Sequence, residues 1–168
     1  LVKYSADAWT VEGDPILVDR TGGTLVAWAP AALAVTTSAS GAEYTLTAQK
    51  DAAAQDLIYQ HQSVNAANAG AVAVEMGHAY SKLSFLATAG NGYTGAANLT
   101  QVQITGGIYA TGTLNMVDGK VDPVGTATLT LAAGEKALVI PMAGQPTIAV
   151  TCTIDGKEFT ANIKADTM

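Results

Sequence analysis

His61 and His78 are the two histidines of the chain and Cys152 is its one cysteine, which limits the metal and nucleophile chemistry it can do. A hydrolytic zinc site wants two or three imidazoles at spacings such as His-Glu-x-x-His, and that pattern is missing. A lone cysteine gives no intrachain disulfide, no Cys-x-x-Cys redox pair and no cysteine-rich zinc site. No Gly-x-Ser-x-Gly elbow presents a nucleophilic serine. Gly90-Asn91-Gly92-Tyr93-Thr94-Gly95 spells Gly-x-Gly-x-x-Gly, but a dinucleotide site needs a helix N-terminus directly after the glycines to hold the pyrophosphate. These glycines lead instead into Asn98 to Thr105, whose alternation reads as a strand, so they are expected to form a hairpin loop. Asp7, Glu12, Asp14 and Asp19 cluster without the ligand spacing of a calcium loop and read as solvated strand ends around a turn. Asn98-Leu99-Thr100 is a glycosylation sequon by spelling. Tyr4, Trp9, Trp28 and Tyr44 have the stacking surface of a sugar platform, although strand aromatics more often fill a core. The expected catalytic, cofactor-binding and metal-binding residues are therefore none.

Charge narrows the partners. Eight basic against fourteen acidic residues leave −6 at pH 7, with the bases scattered singly and only Arg20 an arginine. Phosphate-backbone binding needs clustered cations, so no nucleic acid is expected, and an anionic membrane surface is disfavoured likewise. The apolar stretch from Thr24 to Val35 falls well short of the roughly 20 residues a bilayer span requires and contains Pro30, so no membrane span is expected. From Met76 to Val117 the one formal charge is Lys82. Interface cores are depleted of charge, so this segment is a candidate assembly surface as well as a candidate interior.

The elements that must position these residues alternate with period two. Val102 and Ile104, Ala127 to Leu131, Ile148 to Ile154, and Phe159, Ala161 and Ile163 each interleave with polar neighbours, as half-buried strands do. Similar stretches lie near 2–10, 14–19, 23–29, 42–47, 71–76, 82–88, 107–117 and 136–142. Asp118-Gly119 and Asp155-Gly156 are two-residue hairpin signals, with further turns expected at Gly22-Gly23, Ser40-Gly41 and Asn91-Gly92. About a dozen short strands with regular turns predict an all-β sandwich with under about 10% helix. The one helical candidate is Asp51 to Gln60, with Asp51 as its N-cap. The apolar parity switches between Val72, Val74, Met76 and Leu83, Phe85, which places a bend at Gly77 to Ser81, where His78 is expected to tie the kink. Cys152, between Val150 and Ile154 on one face, is expected to be buried and inert.

Several segments, in this order, resemble the fimbrillin and fimbrillin-like family of Bacteroidales pili, with its major and accessory fimbrial subunits. They are Leu25-Val26-Ala27-Trp28-Ala29-Pro30, Asp56-Leu57-Ile58-Tyr59, His78-Ala79-Tyr80-Ser81-Lys82-Leu83-Ser84-Phe85, and Gly112-Thr113-Leu114-Asn115-Met116. Leu138-Val139-Ile140-Pro141 and the stretch Ile148 to Phe159 complete the set. Met142 follows Ile-Pro where the family often has Gln, and Tyr80 stands where Leu is common. The family's closing Gly-Lys-x-Tyr strands and acylated cysteine have no counterpart, so the resemblance implies a processed or truncated chain.

The resemblance implies a Greek-key, transthyretin-like β-sandwich over residues 1–168, with a sub-boundary within 106–126 between an N-terminal β-domain and the start of a second. It implies a structural, non-enzymatic fimbrial subunit, exported as a lipoprotein precursor to the cell surface, supporting adhesion and assembling by strand exchange. Its partners would be neighbouring pilin subunits and a host or bacterial surface ligand. The alternative is a secreted β-sandwich glycan-binding module using Trp9, Trp28 or the loop aromatics Tyr80 and Tyr93.

Overall fold

The computed structural model describes residues 18–39, 41–67, 72–144 and 146–164, and the backbone of 2–5 and 8–11. All of its regular structure is β. In chain order the strands are β1 (Val2–Ser5), β2 (Ala8–Val11), β3 (Gly23–Ala29), β4 (Thr36–Ser38), β5 (Gly41–Thr47), β6 (Gln49–Lys50), β7 (Ile58–Val64) and β8 (Gly77–His78). Then come β9 (Ser81–Leu83), β10 (Leu99–Gly106), β11 (Thr111–Asn115), β12 (Val121–Val124), β13 (Leu129–Ala132), β14 (Ala137–Val139), β15 (Thr147–Ile154) and β16 (Lys157–Lys164).

Every pairing is antiparallel. β1 and β2 form a hairpin of their own. The other sheets run β3-β7-β8, β12-β11-β5-β4, β6-β14-β9 and β13-β10-β15-β16. Alternation buries one face of three long strands: Ala42, Tyr44 and Leu46 on β5, Val102 and Ile104 on β10, Ile148 and Val150 on β15.

These faces build two cores of a β-sandwich. In the first, Tyr44, Leu46, Leu114 and Met116 pack against Leu57, Ala79, Tyr80, Leu138 and Ile140, with Val26, Trp28 and Tyr59 at the margin. In the second, Val102, Ile104, Leu131, Ile148 and Val150 pack against Ala137 and Val139. β14 and Ile140 behind it therefore face both ways, even-numbered residues into one core and odd-numbered into the other. That is why Ala137 to Ile140 is an unbroken apolar run, each residue fully buried.

The bend at Gly77 to Ser81 is a change of sheet. β8 ends the β3-β7-β8 sheet, Ala79 and Tyr80 are buried in succession, and β9 starts in the β6-β14-β9 sheet. The Ala79 amide donates to Leu57 O (2.8 Å), and the Tyr80 hydroxyl accepts the Thr47 amide (3.1 Å).

The expected helix over 51–60 does not form. The Gln55 amide donates to Ala52 O in a single turn, the Asp51 carboxylate pairs with Lys82 rather than capping, and Ile58 already pairs in β7. Too few residues separate the turn from a strand with two partners for helix nucleation to compete. Val72 to Met76 does not pair as a strand either; the Ala73 carbonyl accepts from the Gln62 side chain instead. The expected strand at 82–88 ends at Leu83. The one expected at 14–19 lies mostly outside the described residues, and Val18 and Asp19 belong to no strand.

Candidate assembly surface

β16 is exposed along its whole length, although its alternation is that of a core strand. Cross-strand partners share a face, so the pairs Ile148↔Ile163, Val150↔Ala161 and Cys152↔Phe159 place Phe159, Ala161 and Ile163 on the inner side of the sheet. Ile148 and Val150 are 3% and 2% exposed, whereas Ile163 and Phe159 are 40% and 42% exposed. The cause is a difference in sheet width. With β6 lying against β13, the three strands β6-β14-β9 run out before the four strands β13-β10-β15-β16 do. β16 and β9 are each the last strand of their own sheet, and every residue of β16 is exposed. Cys152, expected to be buried, is only half-buried for this reason, and desolvation raises its thiol above the ordinary cysteine value.

The same core opens at the end of the sheet into a cavity of about 650 Å³ lined by Phe85, Leu86, Ala97, Leu99 and Ala133. Leu86 is 89% exposed. A second opening, about 920 Å³, lies between β3 and the β4–β5 hairpin and is lined by Val26, Trp28, Ala42 and Val117.

The Gly90–Gly95 segment is a loop leading into β10, with no helix behind it. Asp155 pins it. Its carboxylate accepts from the Tyr93 hydroxyl (2.7 Å), the Ala97 amide (3.0 Å) and the Asn98 amide (3.0 Å). The Tyr93 bond, then those amides, hold the Asp155 carboxyl below the usual carboxylate value, and the same bond raises the Tyr93 phenol.

His78 does tie the bend. Its Nδ1 lies 3.1 Å from Asp56 Oδ1, while Lys82 Nζ reaches Asp51 Oδ2 (3.1 Å) and Asp56 Oδ2 (3.5 Å). Asp51 first, then Asp56, raises the Lys82 ammonium above the usual lysine value. The cluster links the turn before β7 to both strands of the bend. His61 sits elsewhere on β7, its ring stacked on Tyr59 at 6.2 Å. Among the described residues no three His, Cys, Asp or Glu side chains converge on a metal position. Asp7, Glu12 and Asp14 lie outside the described residues, and Asp19 accepts from its own turn at Thr21 and Gly22.

Among the described residues the aromatic side chains do not assemble a platform. Tyr80 was expected in a loop but is 6% exposed, because the change of sheet carries it into the first core. Tyr44 is buried, Trp28 packs on the same core, and the Tyr93 hydroxyl is engaged by Asp155. The side chains of Tyr4 and Trp9 are outside the described residues.

Comparison with known proteins shows the family and the fold. The fimbrillin-like family profile matches residues 2–168. The chain belongs to the fimbrillin-like family. Fimbrillin-like proteins are structural rather than enzymatic. The fold is also that of the crystal structure of a candidate cell adhesion protein from Bacteroides ovatus, at 18% identity and a TM-score of 0.52. The match covers 86% of this chain and 58% of that one, so the chain spans little more than half of its structural neighbour. No curated protein matches it. No helix among the described residues is long and apolar enough to cross a membrane.

The overhang of β16 was not visible in the sequence. Phe159, Ala161 and Ile163 alternate like buried residues, and only the number of strands in the facing sheet exposes them.

Proposed function

We propose that this fimbrillin-like chain is a subunit of a bacterial cell-surface fimbria that supports adhesion and joins its neighbours by strand exchange. The observation that carries this reading is the overhang: an incoming strand pairing with the free edge of β9 would lie over Phe159, Ala161 and Ile163. Unpaired amides and carbonyls along β9 give such a strand its register, and alternate apolar side chains fill the uncovered face. Burial of apolar area supplies the affinity, at about 25 cal/mol per Å² before ordering costs. The small, scattered net charge does not oppose stacking of subunits.

The test is polymerisation of the fimbrial protein carrying Phe159→Asp and Ile163→Asp, followed by light scattering and electron microscopy. Loss of fibres with an unchanged far-ultraviolet circular dichroism spectrum is expected. Fibres as abundant as those of the parent protein would remove the overhang from the assembly mechanism.

A further inference from the structure

The outer edge of β16 is a second surface, separate from the inner face just described. The β15–β16 hairpin turns through Asp155 and Gly156, both with positive φ (50° and 74°), and Ile154 and Lys157 flank the turn as a pair. In a two-residue hairpin of this kind the flanking pair is hydrogen-bonded. Lys157, Phe159, Ala161 and Ile163 thus direct their backbone groups toward β15. Glu158, Thr160, Asn162 and Lys164 direct theirs away from the sheet. Natural edges are usually blunted by proline, a bulge or mid-strand charge. β16 has none of these: its register with β15 runs unbroken from Lys157 to Lys164, and its charges sit at the two ends.

The sequence of this edge is complementary to itself. When two β16 strands run antiparallel about a twofold axis at Ala161, Glu158 stands opposite Lys164 of the second copy and Thr160 opposite Asn162. These are the residues whose amides and carbonyls point outward, so the hydrogen-bonding phase is met. Phe159 then stands opposite the second copy's Ile163, with both on the inner face, so neither sheet is turned over. Neighbouring registers of the same parity are worse. An axis at Thr160 sets the Lys157 ammonium against Ile163, and an axis at Asn162 leaves Glu158 without a cation. We propose that two copies of this chain pair through β16 in the Ala161-centred register, joining two four-stranded sheets into one across a closed, twofold interface. The contact is isologous and self-limiting, unlike the head-to-tail addition of a strand along β9.

Sedimentation velocity of the 168-residue chain over a range of concentrations tests this, with Glu158→Lys and Lys164→Glu as variants. The parent chain is expected to dimerise. Each variant turns both cross-strand ion pairs into like-charge pairs and is expected to weaken the dimer about tenfold in Kd. Mixing the two variants in equal amounts makes both pairs attractive again, so the heterodimer should regain the parent affinity. Circular dichroism confirms that both variants remain folded. A parent chain that is monomeric throughout overturns the proposal. So does a Glu158→Lys dimer as tight as the parent, or a mixture no tighter than its components.

Discussion

The Asp155 carboxylate joins a loop and a hairpin that are far apart in sequence. It holds Tyr93, Ala97 and Asn98 in front of β10 from its position in the β15–β16 turn, while its own amide donates to Asn98 O (3.0 Å). Because the folded state lowers this carboxyl below the ordinary value of 3.8, its stabilisation is complete above that pH and is lost as pH falls through the folded value. Asp155→Asn tolerates the same positive φ and isolates the charge. In urea unfolding the parent should be more stable than this variant at about pH 6, with the gap closing below pH 3.8. A gap that stays constant would mean the charge is not what pins the loop. Tyr80 offers a second check. Burial pushes its phenol up to about 12, against the lowering effect of the Thr47 amide. Absorbance titration should find one of the six tyrosines un-ionised beyond about pH 11. Tyr80→Phe strands the Thr47 amide and should cost about 1–2 kcal/mol in chemical unfolding. At this scale the sequence is legible where local chemistry decides. The glycine-rich loop was recognisable because a strand comes after it, but its anchor, about sixty residues later, carried no local signal.

Elements pair where alternation and turns agree, and Gly107 marks a place where they nearly collide. At φ +82°, its backbone lies so close to β15 that a Cβ would fall on the Thr147 carbonyl oxygen and approach Ile148 Cα at 2.8 Å. The β10–β15 register shifts just before it, between Ile104 and Gly106. Gly107→Ala combines an unfavourable φ with a steric contact against backbone, which cannot rotate away. A loss of roughly 2 kcal/mol or more is expected, read from the midpoint of guanidinium unfolding. A change within about 0.5 kcal/mol would show that the two strands separate freely there. The long strands β3, β5, β10, β15 and β16 were legible because each has one apolar face and turn residues at its ends. The short strands β4, β8 and β12 were not. Thr36–Ser38 is polar throughout, Gly77–His78 is too short for periodicity, and Val121–Val124 contains Pro123 at a sheet edge, where proline is tolerated. The turn at 51–57 read as helix because alanines favour it, and tertiary pairing of Ile58 overrode that preference.

On the scale of the whole molecule, one strand holds the two cores together. Leu138 and Ile140 belong to the core under β5 and β11, Ala137 and Val139 to the core under β10 and β15, and all four are fully buried. Truncating either set leaves a cavity that neither sheet can close, since β14 is paired with β6 and β9 on its two sides. Leu138→Ala should therefore cost about 2–5 kcal/mol and Val139→Ala somewhat less, by lost transfer energy plus the residual cavity. The location of the damage matters more than its size. If β14 couples the cores, each substitution lowers the stability of both, and calorimetry shows a single transition whose midpoint moves as a whole. Hydrogen exchange should then find the amides of β5 and of β10 less protected to the same extent in Leu138→Ala, although that side chain touches only the first core. Independent cores would answer differently. The transition would split, protection would fall in β5 alone, and Val139→Ala would affect β10 while leaving β5 unchanged. Joint loss is expected, because moving β14 to relax one core displaces the alternate side chains that fill the other.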